Sequence, residues 1–194
     1  MSGVLLLSLS TIAVKIIGLA FKIPMLSYLG AQGMGYFNSA YEIYALLCVV
    51  ATAGLPTALS MTVSSARARR DLSGIKRAYG AAKLLFCLFG ALGSLVLALF
   101  SSELAHLIGN DGADACIAAI SPALFCVCLS SAIRGYTQGF EYMTPTALSQ
   151  MIEAFGKLGF GVLFASLALR GGYELYAVAA CAVLGISLGS FLSP

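Results

Sequence analysis

Long apolar stretches separated by short polar breaks dominate the pattern of residues along this chain. At a rise of 1.5 Å per residue, about 20 helical residues cross the ~30 Å hydrocarbon core of a bilayer. Backbone polar groups in lipid must be satisfied within the element, and the stretches are too long for barrel strands, so we predict helices. The predicted membrane spans are 4–29, 36–65, 78–100, 113–140, 146–169 and 173–191.

The polar breaks carry the turn residues expected between helices. Glycine-rich turns are predicted at 30–35, 109–112 and 171–172. Spans and turns together predict an all-α membrane protein, a bundle of about six transmembrane helices in a single domain over residues 1–194. The chain stops at Pro194, soon after the sixth span and without basic residues, so we expect a fragment of a longer transporter.

Two small-residue motifs predict close packing between helices. Gly135-x-x-x-Gly139 lies in the fourth span, and Gly185-x-x-x-Gly189 lies in the sixth. Small residues one turn apart let helix backbones approach in a membrane, so we interpret both motifs as packing surfaces.

Composition supports the membrane assignment and narrows the possible partners. The chain is 60% hydrophobic and only 10% charged, whereas a soluble domain carries roughly 25% charged residues. Basic residues are not interleaved with aromatic residues on any stretch, so a nucleic acid partner is not expected. The six cysteines lie in apolar stretches without a C-x-x-C motif, which indicates small hydrophobic residues rather than a metal site. These are Cys48, Cys87, Cys116, Cys126, Cys128 and Cys181.

The distribution of basic residues predicts the orientation in the membrane. The 66–77 break carries five arginines and lysines, whereas the 101–112 break carries Glu103 and Asp111 and no basic residue. Cytoplasmic loops are enriched in lysine and arginine, which places 66–77 inside and 101–112 outside. We therefore expect a multi-pass protein of the plasma membrane with a cytoplasmic N-terminus and the lipid bilayer as its first partner.

Of the charged residues within the apolar stretches, where a charge at the centre of a span costs about 2.5–3.5 kcal/mol, five lie on seams of polar residues. They are Lys15, Lys22, Glu42, Glu153 and Lys157. Helical spacing places them on polar seams, because residues three and four apart share a face. The three seams are Thr11/Lys15/Gly18/Lys22, Asn38/Glu42/Ala45/Thr52/Pro56 and Thr146/Gln150/Glu153/Lys157.

Two interpretations of these intramembrane charges remain open. The charges are either structural ion pairs, Lys22–Glu42 and Glu153–Lys157, or the lining of a water-filled cavity. In the cavity, three lysines against two glutamates would leave a net charge of +1, which suits an anion such as a phosphate. A carboxylate there could also take up a coupling proton. The excess lysine favours the cavity.

The sequence resembles a known family of transporters. The stretches concerned are 15–24, 33–37, 41–44, 53–60 and, most specifically, 134–150 with Glu153 after it. They resemble polysaccharide biosynthesis transporters of the stage V sporulation protein B branch, related to lipid II flippases in the MATE-like superfamily. Where lipid II flippases carry an Arg-Asp pair shortly after the glycine matching Gly18, this chain has Phe21 and Lys22.

The resemblance implies a fold and a function, and together with the charged seams it gives a set of candidate substrate-binding residues. It implies the first lobe of a two-lobe, alternating-access flippase that exports a polyprenyl-pyrophosphate-linked saccharide, with the second lobe as a missing partner. No cofactor is implied beyond a coupling ion, H+ or Na+. The candidate substrate-binding residues are Lys15, Lys22, Glu42, Arg134, Gln150, Glu153 and Lys157.

Three other functions are weighed against this one. A multidrug or cation antiporter of the same fold would favour an acidic, aromatic cavity over a lysine-rich one. A non-transporting membrane scaffold agrees with the abrupt end of the chain. An intramembrane enzyme is the weakest reading, because the single His106 lies in an exterior break and no HExxH, GxSxG or paired-aspartate motif is present. We predict no catalytic residues.

Overall fold

The computed structural model describes residues 2–52 and 54–192, with the side chains of 5, 7–50 and 54–192. No strand occurs in these ranges. The helices are α1 (Ser2–Thr52), α2 (Leu55–Ala68), α3 (Leu72–Leu99), α4 (Ser101–Ile108), α5 (Asp114–Gly139), α6 (Thr144–Arg170) and α7 (Leu175–Phe191), with one 3-10 turn at Asp111–Ala113. The prediction of an all-α protein is confirmed.

Length and hydropathy agree with a bundle of about six membrane crossings. The apolar stretch Leu7–Ala68 has 62 residues, enough for two or more crossings, and α3, α5 and α6 are each long and apolar enough for one. Helix α7 is apolar but shorter, at 17 residues. The chain is therefore a multi-pass membrane protein.

A single glycine makes the first turn. Gly30 has φ 62° and ψ −172°, and the helix resumes directly after it, so α1 consists of two arms, 2–29 and 31–52. This backbone conformation is open almost only to glycine. The predicted turn at 30–35 was thus too long, because residues 31–35 are helical.

The second predicted span, 36–65, is interrupted. Helix α1 ends at Thr52 and α2 starts at Leu55, with Gly54 at φ 77° as its N-cap and a proline in its first turn. Proline fits the first turn of a helix because the missing N–H would have no partner there. The single predicted span is therefore two helical segments.

The two loops that predicted the orientation lie at opposite ends of α3. Between α2 and α3 only residues 69–71 are non-helical, and Asp71 caps α3 by accepting a hydrogen bond from the Gly74 N–H at 2.9 Å. At the other end, the predicted break contains the short helix α4. The 28 residues of α3 separate these ends by about 42 Å. Which end faces the cytoplasm stays a prediction.

Helix α5 is the centre of the bundle. Ile117, Ile120 and Leu124 of this helix are fully buried, and α5 contacts every other helix. At Gly135 an added methyl group would lie 2.9 Å from the Pro56 carbonyl oxygen, and at Gly139 it would lie 3.0 Å from that of Ser60. The first small-residue motif is thus a packing surface, as predicted, and its partner is α2.

The second motif brings α6 and α7 into backbone contact. A methyl group added at Gly189 would lie 2.6 Å from the carbonyl carbon of Gly156, and one added at Gly185 would lie 2.7 Å from the Gly161 nitrogen. These distances are too short for any side chain. The predicted close approach is confirmed, and α6 and α7 form the most tightly joined helix pair of the bundle.

Candidate functional site

A cavity of about 680 Å³ lies among α1, α5, α6 and α7. Most of its wall is apolar, and its charged groups come from three helices. The polar and charged residues that line it are Thr11, Lys15, Lys22, Asn38, Tyr41, Arg134, Gln150, Glu153 and Lys157. Six of the seven predicted substrate-binding residues therefore meet at one cavity.

The first arm of α1 contributes the seam that helical spacing predicted. Thr11, Lys15, Gly18 and Lys22 all line the cavity. Both lysines are exposed, and neither has an ion-pair partner within 4.0 Å among the described residues. Their charges are available to a ligand.

The second arm of α1 presents a different face from the one predicted. Phe37, Asn38 and Tyr41 line the cavity, but Glu42 is exposed outside it. Each helical residue turns by 100°, so Glu42 lies roughly 95° from the centre of the face formed by the other three. The predicted Lys22–Glu42 pair is wrong for this structure, in which the described residues form no such contact.

Helix α6 contributes a carboxylate that is shared by two cations. The Lys157 Nζ donates to Glu153 Oε1 at 2.7 Å, and the Arg134 Nη2 donates to Glu153 Oε2 at 2.5 Å. The three side chains are only 13–23% exposed. The predicted Glu153–Lys157 pair is confirmed, but it is one half of an Arg134–Glu153–Lys157 triad.

The place of Arg134 in this triad was not found from the sequence. Arg134 is six residues before Phe140, and Ser149 is six residues after Met143, so the two are equidistant from the turn that joins α5 and α6. Arg134 also donates to Ser149 Oγ, at 3.1 Å from Nη2 and 3.3 Å from Nε. This equal spacing from the turn is visible in the sequence, and it could have predicted that Arg134 faces the first turns of α6.

The charge of the cavity differs from the predicted value. Because Glu42 lies outside and Arg134 lies inside, four basic side chains face one carboxylate, which leaves a formal charge of +3 rather than +1 among the described lining residues. The Oε1 atom of Gln150, a further predicted site residue, is buried with no hydrogen-bond donor in the described part of the chain. Cations in an apolar surrounding attract an anion more strongly than in water.

Fold and site together define a multi-pass helical membrane protein with a cation-lined cavity among its helices. Comparison with known proteins identifies the family: the polysaccharide biosynthesis protein family matches residues 1–193, and the chain belongs to it. This confirms the resemblance carried by the motifs. No solved structure matches the chain.

Three curated proteins of Bacillus subtilis (strain 168) are similar to this chain. Lipid II flippase MurJ is 30% identical over 81% of this chain and 31% of its own length. Stage V sporulation protein B is 24% identical over 93% of this chain and 35% of its own. The uncharacterized membrane protein YabM is 24% identical, over 98% and 35%. The chain thus spans about a third of the length of these relatives.

Proposed function

We propose that this chain forms a lobe of a plasma-membrane flippase for a lipid-linked oligosaccharide or cell-wall polysaccharide precursor. A second lobe and alternating access of the cavity to the two sides of the membrane are parts of this proposal. Family membership and the similarity to a protein named lipid II flippase support it.

The observation that carries the proposal is the charge of the cavity. Four basic side chains against one carboxylate, in a wall that is otherwise mainly apolar, suit an amphipathic anion. A polyprenyl diphosphate has this character, since its diphosphate is anionic and its chain is apolar. A multidrug antiporter for cations is the weaker candidate, because a cationic ligand would be repelled by the same side chains.

The two groups of cations would act differently on a diphosphate. Lys15 and Lys22 have no ion-pair partner in the described structure and can reach a ligand without losing one. Arg134 and Lys157 are already held by Glu153. Arginine binds phosphate oxygens with parallel N–H groups, so Arg134 is suited to orient the diphosphate, while the lysines supply charge.

Binding measurements on the 194-residue chain in lipid nanodiscs test the proposal, with a polyprenyl diphosphate as the probe. A charge-assisted hydrogen bond contributes about 1.5–3 kcal/mol, so Lys15→Ala and Lys157→Ala should each weaken binding roughly tenfold or more. Lys83→Ala is the matched control, because Lys83 is an exposed lysine of α3 outside the cavity.

The outcomes separate the candidate functions. Binding by the wild-type chain and the control, with loss in both cavity variants at normal expression, supports the flippase. Unchanged binding in both cavity variants contradicts the phosphate site and leaves the lysines as structural groups. A wild-type chain that binds a lipophilic cation in place of the diphosphate would favour the antiporter, and a chain that binds neither would favour the scaffold.

A further inference from the structure

A second cavity, of about 260 Å³, lies between α5 and the first turns of α6. Its wall differs from that of the main cavity, because four hydroxyl side chains and one basic side chain line it. These are Ser130, Thr137, Thr146, Ser149 and Arg134. Its apolar side is formed by Ile133, Pro145, Leu148, Ile152 and Leu192. We call this second cavity the hydroxyl groove.

Hydrogen bonds fix what the hydroxyl groove can offer to a ligand. The hydroxyl of Ser130 donates to the Cys126 carbonyl at 2.9 Å, and that of Thr137 donates to the Arg134 carbonyl at 3.0 Å. A hydroxyl that has donated its proton keeps lone pairs and acts as an acceptor. Ser130 and Thr146 are only 1% exposed, so the acceptor that a ligand can reach is the half-buried Thr137 hydroxyl, next to the donors of the Arg134 guanidinium.

Arg134 joins the hydroxyl groove to the main cavity, because its side chain lines both. On the main-cavity side it contacts Glu153, and on the groove side it contacts Ser149. A ligand that reaches from one cavity into the other would pass this guanidinium. If the ligand has an anionic group between two neutral parts, that group would be held best at the Arg134 guanidinium.

The hydroxyl groove lies at the end of the bundle predicted to face the cytoplasm. It lies next to the turn between α5 and α6, and the Arg67 Nη1 at the end of α2 donates to the Phe140 carbonyl in that turn at 2.8 Å. Arg67 belongs to the basic segment that predicts the cytoplasmic side. An exported precursor would enter from this end.

We propose that the hydroxyl groove is a subsite for the sugar ring attached directly to the phosphate of the lipid-linked precursor. This inference rests on the proposed function. A sugar ring carries hydroxyls on its edge and C–H groups on its faces, which matches the Thr137 acceptor of α5 and the apolar side chains of α6. The diphosphate then lies at Arg134, and the lipid chain lies in the apolar part of the main cavity.

Two other occupants fit the hydroxyl groove less well. A second anion would find only Arg134 as a cation among the described lining residues, and Glu153 already shares that guanidinium. A lipid chain would leave the Thr137 oxygen facing hydrocarbon. A neutral ligand rich in hydroxyls satisfies both conditions.

The test compares two probes on the 194-residue chain in nanodiscs: a polyprenyl diphosphate, and the same lipid carrying a single hexose. The wild-type chain should bind the glycosylated probe more tightly. One neutral hydrogen bond changes an affinity about three- to tenfold. Thr137→Val should weaken binding of the glycosylated probe by about this factor and leave binding of the bare diphosphate within about twofold.

Thr62→Val is the matched control, since Thr62 donates to a backbone carbonyl of α2 and lines neither cavity. Unchanged binding of the bare diphosphate shows that the groove variant is folded. Equal weakening of both probes, or no weakening of either, overturns the sugar subsite and leaves the proposed function standing. A wild-type chain that binds neither probe overturns both proposals.

Discussion

The Glu153 carboxylate lies 2.7 Å from the Lys157 ammonium, one helical turn away on α6. A glutamate four residues before a lysine is the favourable order on a helix. The pair is more than a local contact, because the second oxygen of Glu153 accepts from Arg134 of α5. One carboxylate therefore holds two cations that would otherwise repel each other and ties two helices together.

Removal of this carboxylate should destabilise the protein. Glu153→Gln keeps the shape of the side chain but leaves Arg134 and Lys157 largely buried without a counter-charge. Breaking a buried pair in this way costs about 3–5 kcal/mol. We expect a lower midpoint of thermal unfolding in detergent, whereas Glu103→Gln, on the exposed surface of α4, should unfold like the wild type. Equal midpoints for the two variants would contradict the role of the triad.

Reversal of the charges distinguishes a triad from a simple pair. In Glu153→Lys with Lys157→Glu, an isolated pair would be restored, but here the new lysine faces Arg134. We expect this double variant to remain destabilised and the addition of Arg134→Glu to recover much of the loss. Circular dichroism during heating would measure both. Full recovery in the double variant would show that Arg134 contributes little.

The predicted orientation can be tested at the two ends of α3. In a cysteine-free background, Leu72→Cys lies in the basic segment and Asp111→Cys lies beyond α4, and both positions are exposed. Since 66–77 is expected in the cytoplasm, the cysteine at 72 should resist an impermeant thiol reagent in whole cells and the cysteine at 111 should react. Labelling of both after membrane permeabilisation is the control, and the reverse pattern in intact cells would invert the orientation.

Backbone contact between α6 and α7 predicts that alanine substitutions at two glycines differ sharply in their effect on thermal stability. Gly189→Ala places a methyl group against the Gly156 backbone, which cannot move aside as a side chain can. Overpacking of this kind costs typically 1–3 kcal/mol, so thermal stability should fall. Gly159→Ala on α6 is the control, because nothing lies within 4 Å of the added methyl group and alanine favours helix. Similar stability of the two variants would show that the helices can separate freely.

Helical periodicity predicted the part of the site that lies on one straight helix. Thr11, Lys15 and Lys22 were placed on one face by their spacing, and all of them line the cavity. The same argument failed for Glu42, because a seam shows which residues share a face and not where that face points. The direction of the second arm depends on the two dihedral angles of Gly30.

Contacts between helices were harder to predict than the helices themselves. The order of elements and the glycine contacts followed from hydropathy and small-residue spacing, whereas Arg134 was found to pair with Glu153 only once α5 and α6 were packed together. The short helix α4 was missed because its eight residues fall in a polar break, where turn residues mask a helical pattern. The hydroxyl groove had no signal, since serine and threonine are common in membrane helices for packing.

The glycine contacts of α6 and α7 determine which walls of the cavity can separate. Two helices that touch through their backbones move as one rigid unit, and Glu153 and Lys157 belong to this unit. Lys15 and Lys22 lie across the cavity, on the first arm of α1, which meets the second arm at the bend at Gly30 and through the packing of Phe21 on Phe37. Movement of this arm would carry Lys15 and Lys22 away from the Glu153 carboxylate and divide the positive charge of the cavity between a mobile part and a stationary part.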